Sequence, residues 1–407
     1  MKSSRSASYE ALIMVLLVLF WGCVGLNRFG IGMIFPKIVP EFHMQLWQAG
    51  LLISGTSITW AFSSWIGGWL SDRYGRRPIL LPAAAFSAVM TAAMGLTWSF
   101  LSMFIVRDLL GVGDGVGWSV GEAVVNEESA PERRGFNQAL FTAGYTLIGV
   151  GVGALIITSL MIHVGWRWVF PIIGAVTALV TIALILVMRE PTPSKARAKR
   201  DWRQAMGLLR DPSMAYLVIM GSAILAWLQL SVGFNVLYLT KVRHFTLPEA
   251  GSVMAVWGFA GTAGQILLPL LSDRIGRKPV VCGSAAVCAV GLIVYLTGGL
   301  DLAGMRLVLG ISGFCGWGLL PLVIATCVSE IVDDDERGAA LGMTNFFGVV
   351  VGTTIMPVVG GVVADHFGLA GALWLVVGCQ AIVAVLILAI RETAPRVVAR
   401  RGLHVAA

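Results

Sequence analysis

Charged residues are scarce in this sequence: Asp, Glu, Lys and Arg make up 13% of its 407 residues, about half the roughly 25% typical of a water-soluble domain. A chain so poor in charge cannot cover a globular core with a solvated surface. Histidine is rarer still. The five (His43, His163, His244, His366, His404) lie between or beyond the apolar runs, where no deep proton relay would sit. No glycine-rich loop ends in a lysine followed by Ser or Thr, which excludes ATP as an energy source. The six cysteines (Cys23, Cys282, Cys288, Cys315, Cys327, Cys379) lack metal-type spacing and fall in apolar stretches, as packing residues do. No nucleophile triad stands out. The chain is not expected to be an enzyme or to need a cofactor or metal.

What is abundant is apolar side chain, 57% of residues, with 49 Gly, 14 Trp and 18 Phe. A membrane-spanning helix needs ~20 apolar residues, so this length supplies about twelve. Apolar segments run at 11–39, 46–70, 78–98, 100–126, 135–162 and 168–188, then at 213–239, 249–271, 279–299, 302–331, 338–364 and 369–390. Each is expected to be helical, because backbone in lipid must satisfy its own hydrogen bonds. The short basic start (Lys2, Arg5) runs into the first segment without a small-residue cleavage site, so it reads as a retained helix and not a signal peptide.

The net charge of +7 would suit nucleic acid, but the basic residues fall in alternate loops. Arg73, Arg76 and Arg77, Arg133 and Arg134, the run from Arg189 to Arg210, Arg274 to Lys278, Arg337 and the tail from Arg391 share one side. The opposite loops hold little more than Arg167, Lys241 and Arg243. Basic loops stay cytoplasmic. The expectation is a multi-pass plasma-membrane protein with both termini cytoplasmic, its short loops suiting a bacterial inner membrane, with the lipid bilayer as partner and no nucleic acid. Residues 1–189 and 212–407 form two halves, joined by a basic linker at 190–211 that would lie on the inner membrane surface.

The halves repeat. Leu70-Ser71-Asp72-Arg73-Tyr74-Gly75-Arg76-Arg77-Pro78 returns as Leu271-Ser272-Asp273-Arg274-Ile275-Gly276-Arg277-Lys278-Pro279. Arg107 through Val112 returns as Arg306 through Ile311, Gly117-Trp118 as Gly316-Trp317, and Arg134-Gly135 as Arg337-Gly338. Internal repeats of this kind mark secondary transporters, with the solute site near the bilayer midplane.

With these residues in view, the sequence resembles the major facilitator superfamily, whose hallmark loop between its second and third helices is matched by Gly67 to Arg77 and echoed between helices eight and nine. The resemblance covers nearly the whole chain. It implies an all-α membrane protein of about twelve helices in two pseudo-symmetric six-helix bundles, and alternating access around a central cavity. The loop residues Asp72, Arg73, Arg76, Asp273, Arg274 and Arg277 are then gating candidates, since a carboxylate at a helix end can pair with an arginine or a helix N-terminus. Within the superfamily, Asn27-Arg28 with Pro36, Arg107 through Asp114, and Thr344-Asn345-Phe346-Phe347-Gly348 are similar to motifs of the anion:cation symporters, which move organic acids with protons. Asn27 stands where that family has an acid, which puts proton stoichiometry and coupling in question.

Ionisable groups deep in a span usually face a pathway. Arg28 is about seventeen residues into the first run, ~25 Å along a helix, and Asp114 about fourteen into the fourth, ~21 Å. Arg28 offers a planar fork for a carboxylate, and Asp114 a carboxyl that can carry a proton; alternatively the two form a fixed ion pair. Glu122, eight positions on, either relays protons or belongs with Glu127 and Glu128 at the interface. Arg107, Asp108, Arg306 and Lys37 lie towards helix ends, where long side chains reach water. Asp114 aligns with Gly313, so deep charge is confined to the first half. The second offers Gln229, Asn235, Tyr238, Gln265 and Asn345 as neutral hydrogen-bonding groups. The expected function is proton-coupled symport of a small organic anion, a carboxylate, by a monomer, with Asn27, Arg28, Gln229, Asn235, Tyr238 and Asn345 at the solute and Asp114 and Glu122 carrying protons. The alternative is a proton-coupled drug or metabolite exporter, although helix five lacks the Gly-Pro pair such exporters carry. A non-transporting receptor would be expected to add a soluble domain.

Overall fold

The computed structural model describes residues 7–191, 206–333, 336–395 and 397. Twelve long helices account for nearly all of it. They are α1 (Ala7–Glu41), α2 (Leu46–Tyr74), α3 (Arg77–Ala93), α4 (Phe100–Glu128), α5 (Arg134–His163) and α6 (Trp166–Val187), followed by α7 (Pro212–Lys241), α8 (Leu247–Ile275), α9 (Arg277–Thr297) and α10 (Leu302–Ile331). The last long stretch, Arg337–Ala389, breaks at Gly368 (φ 77°, ψ 169°) into α11 at 337–367 and α12 at 369–389. No strand occurs among the described residues. Among the described residues nine stretches, one holding both α11 and α12, are long and apolar enough to cross a membrane. The two remaining helices are less apolar: α2 is rich in Ser and Thr, and α4 carries Arg107, Asp108 and Asp114. Most of the linker expected at 190–211 lies outside the described residues.

The chain divides into two compact units, Met1–Met44 with Ser54–Arg197, and Gln45–Ile53 with Ala198–Ala407. The boundary falls inside α2. Its first two turns belong with the second unit, where the Asp365 carboxylate accepts from the N–H groups of Leu46 (2.8 Å) and Trp47 (3.0 Å) and so caps a helix N-terminus.

In the first unit α1 is the interior helix, with Ile13, Leu17, Phe20, Trp21 and Val24 packed against Leu80 and Ala84 of α3 and Val120 and Val124 of α4. Gly25 of α1 lies against Gly149 of α5. A Cβ on Gly25 would come within 2.6 Å of the Tyr145 carbonyl oxygen and 2.9 Å of the Gly149 Cα. The glycines of α5 therefore let two backbones touch, as small residues do between membrane helices. In the second unit α7 takes the interior place, with 89% of its apolar core buried.

Three helices depart from α geometry. α5 is π-helical over Tyr145–Val152, α10 over Leu322–Thr326 and α11 over Gly348–Ile355. Turn conformations recur between the halves as well. His43 and His244 both have positive φ, and Gly75 and Gly276 turn at φ 101° and 123°. The two glycines end α2 and α8 in a conformation that a side chain would strain.

Candidate functional site

The deep charges of the first unit gather around a run of glycines in α4. Gly111, Gly113, Gly115 and Gly117 flank Asp114, and each would cost about 1 kcal/mol relative to Ala in an ordinary helix. Here they admit close neighbours. A Cβ on Gly113 would meet the Ala83 carbonyl oxygen of α3 at 2.9 Å, and one on Gly111 the Thr56 carbonyl oxygen of α2 at 2.7 Å. The packing of α2 and α3 onto α4 buries Asp114 completely.

Asp114 does not pair with Arg28. Ser87 of α3 donates to its Oδ1 at 2.6 Å, while Oδ2 is buried without a hydrogen-bond partner. Arg28, half-buried on α1, donates from Nη2 to Ser57 Oγ at 3.2 Å and holds its Cζ 5.4 Å from the Trp60 ring centroid, within cation–π range. Among the described residues no carboxylate lies within ion-pair distance of Arg28. Asn27, wholly buried, donates from Nδ2 to Thr91 Oγ1 at 3.2 Å. Arg107 is 1% exposed and acts electrostatically on Asp114, as does Arg28. Its neighbour Asp108 has a buried Oδ1 without a hydrogen-bond partner, set against Gly55 of α2. The arrangement is a guanidinium resting on a hydroxyl and an indole, beside a buried carboxyl with one spare oxygen.

Aromatic rings wall this region. Trp21 lies 4.8 Å from Trp118 and 5.0 Å from Tyr145, Tyr145 lies 4.8 Å from Phe29, and Trp60 lies 6.4 Å from Trp118. Glu122 is half-buried two turns along α4.

The neutral groups expected in the second half lie on α7, α8 and α11. Asn235 is wholly buried in α7, with both amide atoms lacking a partner. Tyr238, also buried, donates to the Leu296 carbonyl oxygen at 3.4 Å and lies 5.3 Å from the Tyr295 ring. Gln229 is 4% exposed, Gln265 half-buried and Asn345 exposed. A trio of buried indoles, Trp227, Trp257 and Trp317, fills the middle of the unit with centroids 5.4 to 6.2 Å apart.

The two repeated loops build the same charge cluster twice. Arg76 pairs with Asp72 (2.6 Å) and Glu127 (2.8 Å) and donates to Ser71 Oγ at 2.7 Å. Burial opposes its charge, but Glu127 and Asp72 outweigh that and hold the guanidinium above the ordinary arginine value, so it stays charged. Glu190 accepts from the backbone N–H groups of Arg76 (2.5 Å) and Arg77 (3.0 Å), capping α3. In the copy, Arg277 pairs with Asp273 (2.6 Å) and Glu330 (2.8 Å) and donates to Ser272 Oγ, while Glu392 accepts from the N–H groups of Arg277 (2.7 Å) and Lys278 (3.2 Å). Glu127, Glu190, Glu330 and Glu392 were not among the sequence candidates for these loops. A signal for two of them was present: Arg189-Glu190 recurs as Arg391-Glu392. Arg73 is exposed, with its Cζ 6.0 Å from the Trp69 ring and 5.5 Å from Tyr74, and Arg274 is exposed on the end of α8.

The model of the Major Facilitator Superfamily matches residues 17–352. The chain belongs to that superfamily. Its relatives include the "Probable 4-methylmuconolactone transporter" of Cupriavidus pinatubonensis, 26% identical over 370 residues, covering 87% of this chain and 85% of the relative. The "Probable sulfoacetate transporter" of Cupriavidus necator is 24% identical, covering 88% of each. Among solved structures, the superfamily fold is matched by a bacterial homologue of the human lysosomal transporter Spinster, with TM-score 0.78, 17% identity, and 94% of this chain and 96% of that one covered. The protein is thus a multi-pass membrane transporter of small solutes and not an enzyme.

Proposed function

We propose that this transporter carries a small organic anion, a carboxylate, in symport with protons by alternating access. The observation that carries the reading is the state of Arg28: a permanent cation deep in a span which, among the described residues, is held by a neutral hydroxyl and a ring face. Such a charge is costly in lipid unless a partner completes it, and a planar carboxylate fits its fork with two parallel hydrogen bonds. Asp114 supplies the proton position, because a buried carboxyl whose second oxygen lacks a donor is suited to hold a proton there. Arg28 and Asp114 act on each other's charge, so an anion arriving at Arg28 alters the field at Asp114 and couples the two ligands. Two relatives carry the names of organic-acid transporters, which is consistent with an anionic solute. In this reading the basic loops and both termini face the cytoplasm, the halves 1–189 and 212–407 rock about the linker, and one chain suffices. Asn27, Gln229, Asn235, Tyr238 and Asn345 would add hydrogen bonds and shape, Glu122 would pass protons along α4, and the two arginine clusters would gate.

The test is solute-driven proton movement into proteoliposomes holding a trapped pH dye, with a panel of mono- and dicarboxylates beside cationic drugs. Internal acidification by an external carboxylate, lost in both Arg28→Ala and Asp114→Asn, is the expected result. A response confined to cationic compounds, with Arg28→Ala still active, would refute symport and favour an exporter.

A further inference from the structure

The second unit carries an open apolar groove beside its copy of the repeated loop. Leu271 and Ile275 at the end of α8, Pro279, Val280, Gly283, Ser284 and Val287 on the first three turns of α9, and Cys315 of α10 enclose about 280 Å³. Leu271, Ile275 and Val287 are 43 to 51% exposed, and a Cβ on Gly283 would meet nothing within 4 Å. The sequence repeat explains the opening. In the register that pairs Asp72 with Asp273, Tyr74 becomes Ile275, Pro82 becomes Gly283 and Phe86 becomes Val287. Three bulky side chains of the first half are replaced by smaller ones along one strip.

The same register changes the charge at the rim. Arg73 lies over the rings of Trp69 and Tyr74, whereas the positions equivalent to those rings beside its counterpart Arg274 are the aliphatic Leu270 and Ile275. Arg274 is exposed and, among the described residues, has no hydrogen bond, ion pair or ring partner. The adjacent Asp273 is committed to Arg277 at 2.6 Å, and Lys278 to the Leu388 carbonyl oxygen at 2.8 Å. An exposed guanidinium therefore stands next in the chain to Ile275 of the groove wall, at the C-terminal end of α8.

We infer that this groove is a phospholipid site, taking one acyl chain of an anionic lipid along Gly283 and Val287 while Arg274 holds the headgroup phosphate. Charge complementarity selects the occupant: an apolar slot beside a cation that has no partner among the described residues matches a chain with one anion at its end. The inference does not depend on which solute is carried.

The test titrates the purified full-length protein in detergent with phosphatidylglycerol or phosphatidylcholine and counts bound lipids by native mass spectrometry. Phosphatidylglycerol is expected to bind first, with Arg274→Gln weakening it about fivefold, as one basic residue at an anionic surface does. Gly283→Phe, whose Cβ meets nothing within 4 Å and whose ring occupies the slot, should weaken both lipids by roughly fourfold for each methylene displaced. Wild-type protein irradiated with a diazirine-tailed phosphatidylglycerol should be labelled at 271–287 and Cys315. Unchanged adducts in both variants, or labelling spread equally over α3 and α9, would overturn the site. Competition by inorganic phosphate alone would make the occupant a free anion, and conversion of a dimer to a monomer by Gly283→Phe would make it a second copy. Either result also overturns the proposal.

Discussion

Replacing Arg28 by alanine and by lysine separates charge from shape at the proposed anion position. Among the described residues Arg28 has one hydroxyl acceptor at 3.2 Å, one ring face at 5.4 Å and no carboxylate at ion-pair distance, which leaves its fork open to a ligand. Removing one partner of a buried charge pair costs about 3–5 kcal/mol, which predicts that Arg28→Ala weakens half-saturation by roughly two to nearly four orders of magnitude. Lysine keeps the charge but offers no planar pair of donors and stacks poorly on Trp60. The loss of one hydrogen bond to a charged group, about 1.5–3 kcal/mol, predicts a ten- to 150-fold weakening for Arg28→Lys. Ser57→Ala removes only a neutral contact and should shift the same constant by less than about tenfold. Counterflow of a labelled carboxylate in proteoliposomes measures all three, with protein orientation and amount matched. Arg28→Ala and Arg28→Lys both within threefold of the parent, for a carboxylate the parent transports, would show that Arg28 does not hold the anion.

Asp114→Asn keeps the shape and the acceptor for Ser87 but cannot carry a proton, so it should abolish proton movement while shifting the melting temperature in detergent by no more than a few degrees; a large drop would mean the carboxylate is structural. Glu127→Gln and Glu330→Gln break half-buried pairs with Arg76 and Arg277 and should each cost about 1–3 kcal/mol, whereas Asp72→Asn, 62% exposed, should stay within about 0.5 kcal/mol by the same thermal assay. Gly25→Leu drives a side chain into the Tyr145 carbonyl and Gly149 and should cost more than about 3 kcal/mol, seen as loss of monodisperse protein; near-normal yield would mean that α1 and α5 do not touch.

Much of this was legible because lipid imposes simple rules. Hydropathy located the helices, the repeat disclosed two halves, and charge in an apolar run drew attention to Arg28 and Asp114. Their immediate partners were not legible. Ser57, Ser87 and Thr91 are hydroxyls in helices that carry many, and only the packing of α2 and α3 onto the α4 glycines selects them. The caps Glu190 and Glu392 sit more than a hundred residues from the loops they bind, so no local pattern points to them; the doubled Arg-Glu pair was the available trace. Asn235 and Tyr238 were legible as solute candidates because they are polar in an apolar run; the depth of their burial was not. The structure shows α7 as the interior helix of its unit, where such groups are buried among neighbours.

The π-helical stretches of α5 and α11 carry a further meaning for length. A π turn closes its hydrogen bonds one residue later than an α turn, so each of these helices holds slack, more residues than its height requires. Deleting Leu147, which lies 40% exposed within Tyr145–Val152, would let the stretch tighten into α-helix and leave both ends of α5 in register with their partners. The same deletion in the straight helix α6 has no slack to take up and would rotate every residue beyond it by about 100°. Among the described residues α5 and α11, with the shorter π stretch of α10, are thus the helices in which this protein can lose a residue and keep its shape.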